Sequence, residues 1–200
     1  MAKLSLNKAA LHSESAKLKR YQQYLPSLEL KRQKLVAERA KGWAQFEATQ
    51  QRMADCRKHV AESLPMMAYR DIDLSELVII KTLDVDTENI VGIQLPVLNR
   101  VELAQKPYSP YLKPHWTDAV VVQLSQMLEL QCHHHIQQKR LDLLNAAVKK
   151  VTQKVNLFDK VLIPKTQHNI RKIRIFLSDA ERADVVRSKL TKQLRAQGRH

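Results

Sequence analysis

Val148–Leu194, VKKVTQKVNLFDKVLIPKTQHNIRKIRIFLSDAERADVVRSKLTKQL, is the stretch whose spacing decides the fold. Its apolar positions Val148, Val151, Val155, Phe158 and Leu162 follow one another at alternating steps of three and four. That spacing keeps one stripe of a helix turned towards a partner, the seam of a coiled coil. From Leu162 the seam steps by four to Thr166 and again by four to Ile170, then resumes at Ile173, Leu177 and Ala180. A double step of four is a stutter, which locally unwinds a left-handed supercoil. Pro164 lies inside it, so a bend or a lost hydrogen bond is expected there. A helix this regular requires a partner of similar length.

The partner lies at the other end of the chain. Leu11, Leu18 and Leu25 form one seven-residue series, and Tyr21, Leu28 and Leu35 form a second, offset by three. Helix is therefore expected from residue 3 to about 63. Pro26 is expected to kink or divide it near Tyr24–Pro26, and Pro65 to stop it. At about 1.5 Å per residue, sixty residues span roughly 90 Å. A second helix is expected to begin at Thr117 or Asp118, both N-cap candidates, and to run through Val120, Leu124, Leu128, Ile136 and Leu144 into the seam above.

Between the helices the pattern changes. Leu77–Leu83 is rich in β-branched residues and reads as a strand. Asp86-Thr87-Glu88-Asn89 reads as a turn, and Ile90–Leu98 as a second strand in which Gly92 marks a bulge or a close backbone approach and Pro96 an edge position. Lys106–Pro114 carries three prolines and reads as an extended connection. The fold class is mainly α: a long antiparallel two-helix coiled coil of the N- and C-terminal helices with a small β-hairpin insertion in the middle. The expected divisions are 1–65 for the N-terminal helix, 66–116 for the hairpin and its proline-rich connection, and 117–200 for the C-terminal helix with a frayed tail.

The 200 residues include three glycines, 5% aromatics and a formal net charge of +14. Few glycines leave little room for a phosphate-cradling loop, and no G-x-x-x-x-G-K-S/T, G-x-S-x-G or H-E-x-x-H motif is present. No catalytic, cofactor or metal site is expected. Cys132-His133-His134-His135 places only Cys132 and His135 on one helical face, and two ligands do not close a structural zinc site. Two isolated cysteines, Cys56 and Cys132, point to a reducing compartment. No run of about 18 apolar residues exists, so no bilayer span is expected. The basic residues are spread around both terminal helices, while 59–115 is mildly acidic. Nucleic acid, an acidic membrane or an acidic protein socket each suits such ends. Scattered charge and few aromatics disfavour nucleic acid, and an acidic protein surface would serve. A free-standing coiled-coil adaptor or a basic nucleic-acid-binding protein is the alternative function.

Four segments resemble the D subunit of V-type and A-type ATPases and ATP synthases, the central rotor shaft, and they follow that family's order along the chain. Val155-Asn156-Leu157-Phe158-Asp159 followed by Leu162-Ile163-Pro164 is similar to the family's R-R-V-N-A-L-E stretch and its I-P pair, although Gln153 and Lys154 replace the two arginines. Leu177-Ser178-Asp179-Ala180-Glu181-Arg182 resembles L-x-E-x-E-R, and Ile90-Val91-Gly92-Ile93-Gln94-Leu95-Pro96 resembles I-x-G-V-x-V-P. Leu28–Leu35 resembles L-L-K-x-K-R-x-x-L.

The resemblance implies a non-catalytic subunit that passes torque between an ATP-hydrolysing or ATP-synthesising head and an ion-translocating membrane ring. The implied partners are the catalytic and non-catalytic head subunits, a small globular rotor subunit and a socket subunit on the ring. The implied location is cytoplasmic and peripheral to the membrane. Under this reading Arg171, Arg174, Arg182, Arg187, Lys189, Lys192 and Arg195 present a basic surface to the head. Ile90, Val91, Gly92, Ile93, Leu95 and Pro96 serve the lower rotor. The seam consists of Leu11, Leu18, Tyr21, Leu28, Leu35, Val151, Val155, Phe158, Leu162, Ile170, Ile173 and Leu177.

Overall fold

Helix α1 (Lys8–Ser63) starts where a side chain can satisfy its first free amides. Asn7 Oδ1 accepts the Ala10 N–H at 2.7 Å and the Asn7 carbonyl accepts Leu11 N–H at 3.0 Å, so Asn7 is the N-cap and the helix begins five residues later than expected. A computed structural model describes residues 5–68, 77–107 and 114–197. After α1 comes a 3-10 turn (Pro65–Ala68), strands β1 (Val78–Ile90) and β2 (Ile93–Gln105), helix α2 (Thr117–Leu157), a π-helical turn (Phe158–Leu162) and helix α3 (Ile163–Gln197). The chain is mainly helical, with two long helical segments and a two-stranded antiparallel hairpin between them. Most of the proline-rich connection lies outside the described residues.

Three local expectations are corrected. Pro26 does not divide α1, which runs through it without interruption. Pro26 and Gln22, whose carbonyl the proline leaves unbonded, are both exposed, so water can take the missing donor's place. The turn is not at Asp86–Asn89. Those residues pair within β1, and the loop is the two residues Val91-Gly92, closed by the Ile90–Ile93 pair. Both loop residues have positive φ, 52° and 79°, as a primed hairpin turn demands. Asn89 Oδ1 accepts the Gly92 N–H at 2.9 Å. Gly92 is therefore a turn residue, and the register shifts instead between Ile80 and Thr82 and between Asp84 and Val85. Thr117 is not an N-cap: the first helical carbonyl is that of Trp116, and the buried Thr117 hydroxyl has no hydrogen-bond partner among the described residues.

The unwinding expected around Pro164 takes the form of a wide turn, Phe158–Leu162. The Ile163 N–H donates to the Phe158 carbonyl, five residues back. A proline ring clashes with the carbonyl four residues before it, here that of Lys160, and a π turn moves that carbonyl clear without ending the helix. The Thr166 hydroxyl donates to the Leu162 carbonyl at 2.7 Å on the far side.

The chain divides into two compact units. The first joins Met1–Lys31 to Val151–His200. Its helices run antiparallel: Glu14 meets Asn169, and the Tyr21 ring meets Phe158 edge to face at 5.4 Å. Val151, Val155, Ile170 and Ile173 are buried in it, and Leu11, Leu18, Phe158, Leu162 and Leu177 are half-buried.

The second unit is Arg32–Lys150. Here too the helices are antiparallel, with Gly42 against Leu141 and Leu144, Phe46 against His134, and Cys56 against Gln123. Leu35, Leu141, Leu144 and Val148 are buried. The hairpin belongs to this unit. Its base packs Leu77 and Val78 against Val121, flanked by Leu103, Leu124 and Leu128. Burying these side chains contributes about 1.5–3 kcal/mol each, which compensates for a two-stranded sheet being marginal alone.

Candidate functional site

Two surfaces carry the residues that the sequence singles out, one in each unit. In the first unit, α3 loses its covering partner towards its end, and every residue from Asp179 to Arg195 is exposed. Arg182, Arg187, Lys189, Lys192 and Arg195 lie on this segment. Arg182 reaches Asp179 at 3.8 Å and Arg187 reaches Asp184 at 3.4 Å, both within one turn and largely solvated. Such pairs hold little energy, so both guanidinium groups remain available to a stronger anionic partner. Arg171 and Arg174 sit nearer the seam and line an open groove with Ser15, Lys19 and Gln22. Sequence reasoning missed the exposed apolar residues among these charges. Val186, Leu190 and Leu194 follow at steps of four and are each more than half exposed. The spacing was visible; their lack of a covering helix was not.

In the second unit the hairpin presents the other surface. Val91 and Gly92 form its tip, flanked by the half-buried Ile90 and Ile93. Pro96 stands opposite Thr87 in the ladder. Leu95 is fully buried, so its side chain is not open to a partner. Strand β1 instead exposes Ile79, Ile80, Leu83 and Val85. Asp84 lies within this apolar row, and Asp86 and Glu88 follow it towards the tip. Glu88 accepts from Arg140 of α2 at 2.8 Å.

Neither surface has the marks of a reaction centre. Among the described residues no group of three or more His, Cys, Asp or Glu is placed to hold a metal ion. His134 stacks on Phe46 at 4.5 Å, while Cys132 and His135 line an apolar pocket. Burial pushes the Cys132 thiol up, assisted by the negative charge of Glu129. The hydrogen bond from Lys17 holds Glu14 below the usual carboxylate range against the opposing effect of burial, and raises Lys17 in return. These shifts follow from packing and pairing, and among the described residues they set no nucleophile against a base. Among the described residues no helix is long and apolar enough to cross a membrane. The arrangement suits docking to other proteins.

Comparison with known proteins agrees with this picture. The family described as the ATP synthase D subunit matches residues 10–193. The V-type ATP synthase D subunit of Chlamydia trachomatis serovar L2 is 33% identical over 195 residues, covering 96% of each chain. That of Chlamydia muridarum is also 33% identical, with the same coverage. The one from Borreliella burgdorferi is 29% identical over 192 residues, 96% of this chain and 95% of its own. Since the match runs through both helical segments and the hairpin, this chain belongs to the ATP synthase D subunit family, together with V-type ATP synthase D subunits.

Proposed function

We propose that this chain is the central rotor shaft of a V/A-type ATPase, a non-catalytic subunit that carries torque between the nucleotide-converting head and the membrane ring. The near full-length family match carries this reading. The structure supports it through the exposed end of α3, where basic and apolar side chains lie side by side and no described residue covers them. Arg171, Arg174, Arg182, Arg187, Lys189, Lys192 and Arg195 face the head subunits in this proposal. Their positive charge is guided by acidic loops, and weak solvated pairing lets contacts be exchanged as the shaft turns. The hairpin tip at Ile90–Ile93 and Pro96 serves the lower rotor, where a small globular subunit and the socket on the ring attach. The chain acts at the cytoplasmic side without entering the bilayer.

Torque requires stiffness. Twisting one helix against another must disrupt their packed seam, so buried residues such as Ile173 and Val155 resist shear. A shaft that is not symmetric about its axis biases the sites of the surrounding head differently, an energetic coupling between distant sites. The π turn at Phe158–Leu162 and the proline in α1 supply such asymmetry.

Truncation after Ala180 tests the proposal. The residues removed, as far as Arg195, are exposed, so the remaining chain should still fold and keep its buried seam. ATP hydrolysis by the assembled complex should become uncoupled from ion transport. Full coupling in the truncated complex would remove this segment from the mechanism. Purification of the intact chain with RNA or DNA, and without head subunits, would favour a free-standing basic protein instead.

A further inference from the structure

The hairpin is attached to α2 at its two ends and stands off it in the middle. At the base, Leu77 and Val78 are buried on Val121. Towards the tip, Glu88 is bound to Arg140 at 2.8 Å, and Leu95, its partner in the ladder, is fully buried. Between these attachments lies an almost wholly apolar pocket of about 280 Å³, lined by Ile80, Leu83, Leu128, Gln131, Cys132, His135 and Ile136. Both register shifts fall beside it, between Ile80 and Thr82 and between Asp84 and Val85. A β-bulge bends its strand and sharpens the twist, so the ladder arches where the pocket opens.

The three pocket residues Leu128, Cys132 and Ile136 lie four apart on α2 and form a single apolar stripe beneath the arch. The two attachments differ in kind. The base is an apolar cluster of several residues, whereas the tip has one buried leucine and one ion pair whose glutamate is half exposed. Opening therefore begins at the tip.

We propose that the hairpin is a strap that lifts from its tip, hinging at the buried base, and that lifting uncovers the Leu128–Cys132–Ile136 stripe of α2. The closed strap hides the Cys132 thiol, and the lifted strap exposes it. This holds for the chain whatever its place in a complex.

The test is maleimide labelling of Cys132 in the full chain carrying Cys56→Ser, with helicity followed by circular dichroism. Labelling in this background should be slow. Glu88→Gln should speed it about two- to fivefold, the range of a partly solvated ion pair. Leu95→Ala should speed it about thirtyfold or more, because a buried leucine is lost from the tip. Helicity should be unchanged in both. Combining Glu88→Arg with Arg140→Glu should return the rate to near that of the background. Rising salt should accelerate labelling in the background and have no effect on Glu88→Gln, which decides the matter even if Leu95→Ala fails to fold. Equal rates in the background and Glu88→Gln at every salt concentration would overturn the proposal. So would labelling that accelerates only in proportion to loss of the whole chain's resistance to urea.

Discussion

Glu14 is the most informative residue to perturb in the first unit. Its side chain is 12% exposed, and its carboxylate accepts from Lys17 at 2.8 Å on its own helix and from Asn169 Nδ2 at 3.1 Å across the seam. Thr166, one turn before Asn169, is also buried, so the seam carries a polar layer between Leu162 and Ile170. A single polar layer in a coiled coil fixes register at some cost in stability. The contact to Lys17 is local and half solvated, so about 0.2–0.5 kcal/mol is expected from it. The contact to Asn169 is charge-assisted and shielded, and hydrogen bonds to charged groups contribute about 1.5–3 kcal/mol.

A double-mutant cycle of Glu14→Ala and Asn169→Ala, read by urea unfolding at 222 nm, should give a coupling of about 1.5 kcal/mol at neutral pH. The pH dependence has a definite sign. Lys17's hydrogen bond lowers the Glu14 carboxyl in the folded chain, burial opposes this, and Asn169 with the charges of Lys17 and Lys165 lowers it further. A lowered folded-state value means stability that is fully present above the unfolded carboxylate's value, about 4.3, and is lost as pH falls through the folded value. The coupling should therefore persist at mildly acidic pH and decline below about pH 4. Glu14→Gln should abolish that decline while keeping an acceptor for Asn169. A coupling below about 0.3 kcal/mol at neutral pH, or one that does not shrink in acid, would refute the polar-layer argument.

Two further substitutions probe the second unit. At Gly42 an added Cβ would meet Leu141 Cδ2 at 3.1 Å and Leu144 Cδ1 at 3.9 Å. Gly42→Ala should be within about 1 kcal/mol of neutral, since helix propensity offsets the tight contact. Gly42→Val should cost about 1–3 kcal/mol by overpacking; a stability gain for valine in thermal unfolding would contradict the close packing. Val91 holds a left-handed conformation that a β-branched residue resists. Val91→Asn, which creates an Asn-Gly turn, should stabilise the hairpin by about 1 kcal/mol. Slower hydrogen exchange of the hairpin amides should report this, and faster exchange would count against the strain.

Local chemistry made much of the fold legible. Alternating steps of three and four at Val148–Leu162 can be satisfied only by a helix with one buried stripe, and β-branched residues at Leu77–Leu83 mark a strand wherever it packs. Asn7 carries a capping signal, but seven-residue periodicity does not mark where a helix begins, and the start falls at Lys8 and not at residue 3. The hairpin turn was misplaced as well. Asp86-Thr87-Glu88-Asn89 has turn composition, but ladder pairing across thirteen-residue strands outweighs it, and the turn falls at the site that keeps Leu95 buried.

By itself, then, the sequence determined the elements, the antiparallel return and the family, because periodicity and motif order are properties of neighbours along the chain. Only the tertiary structure decided what depends on residues far apart. Pro26 is tolerated because the carbonyl it frees faces solvent. Pro164 is accommodated by a π turn in a helix that continues. Glu14 becomes a buried acid only when Asn169, more than a hundred residues away, is brought to its carboxylate. The end of α3 is bare because α1 starts too late to cover it, and whether a side chain is covered depends on what else reaches it.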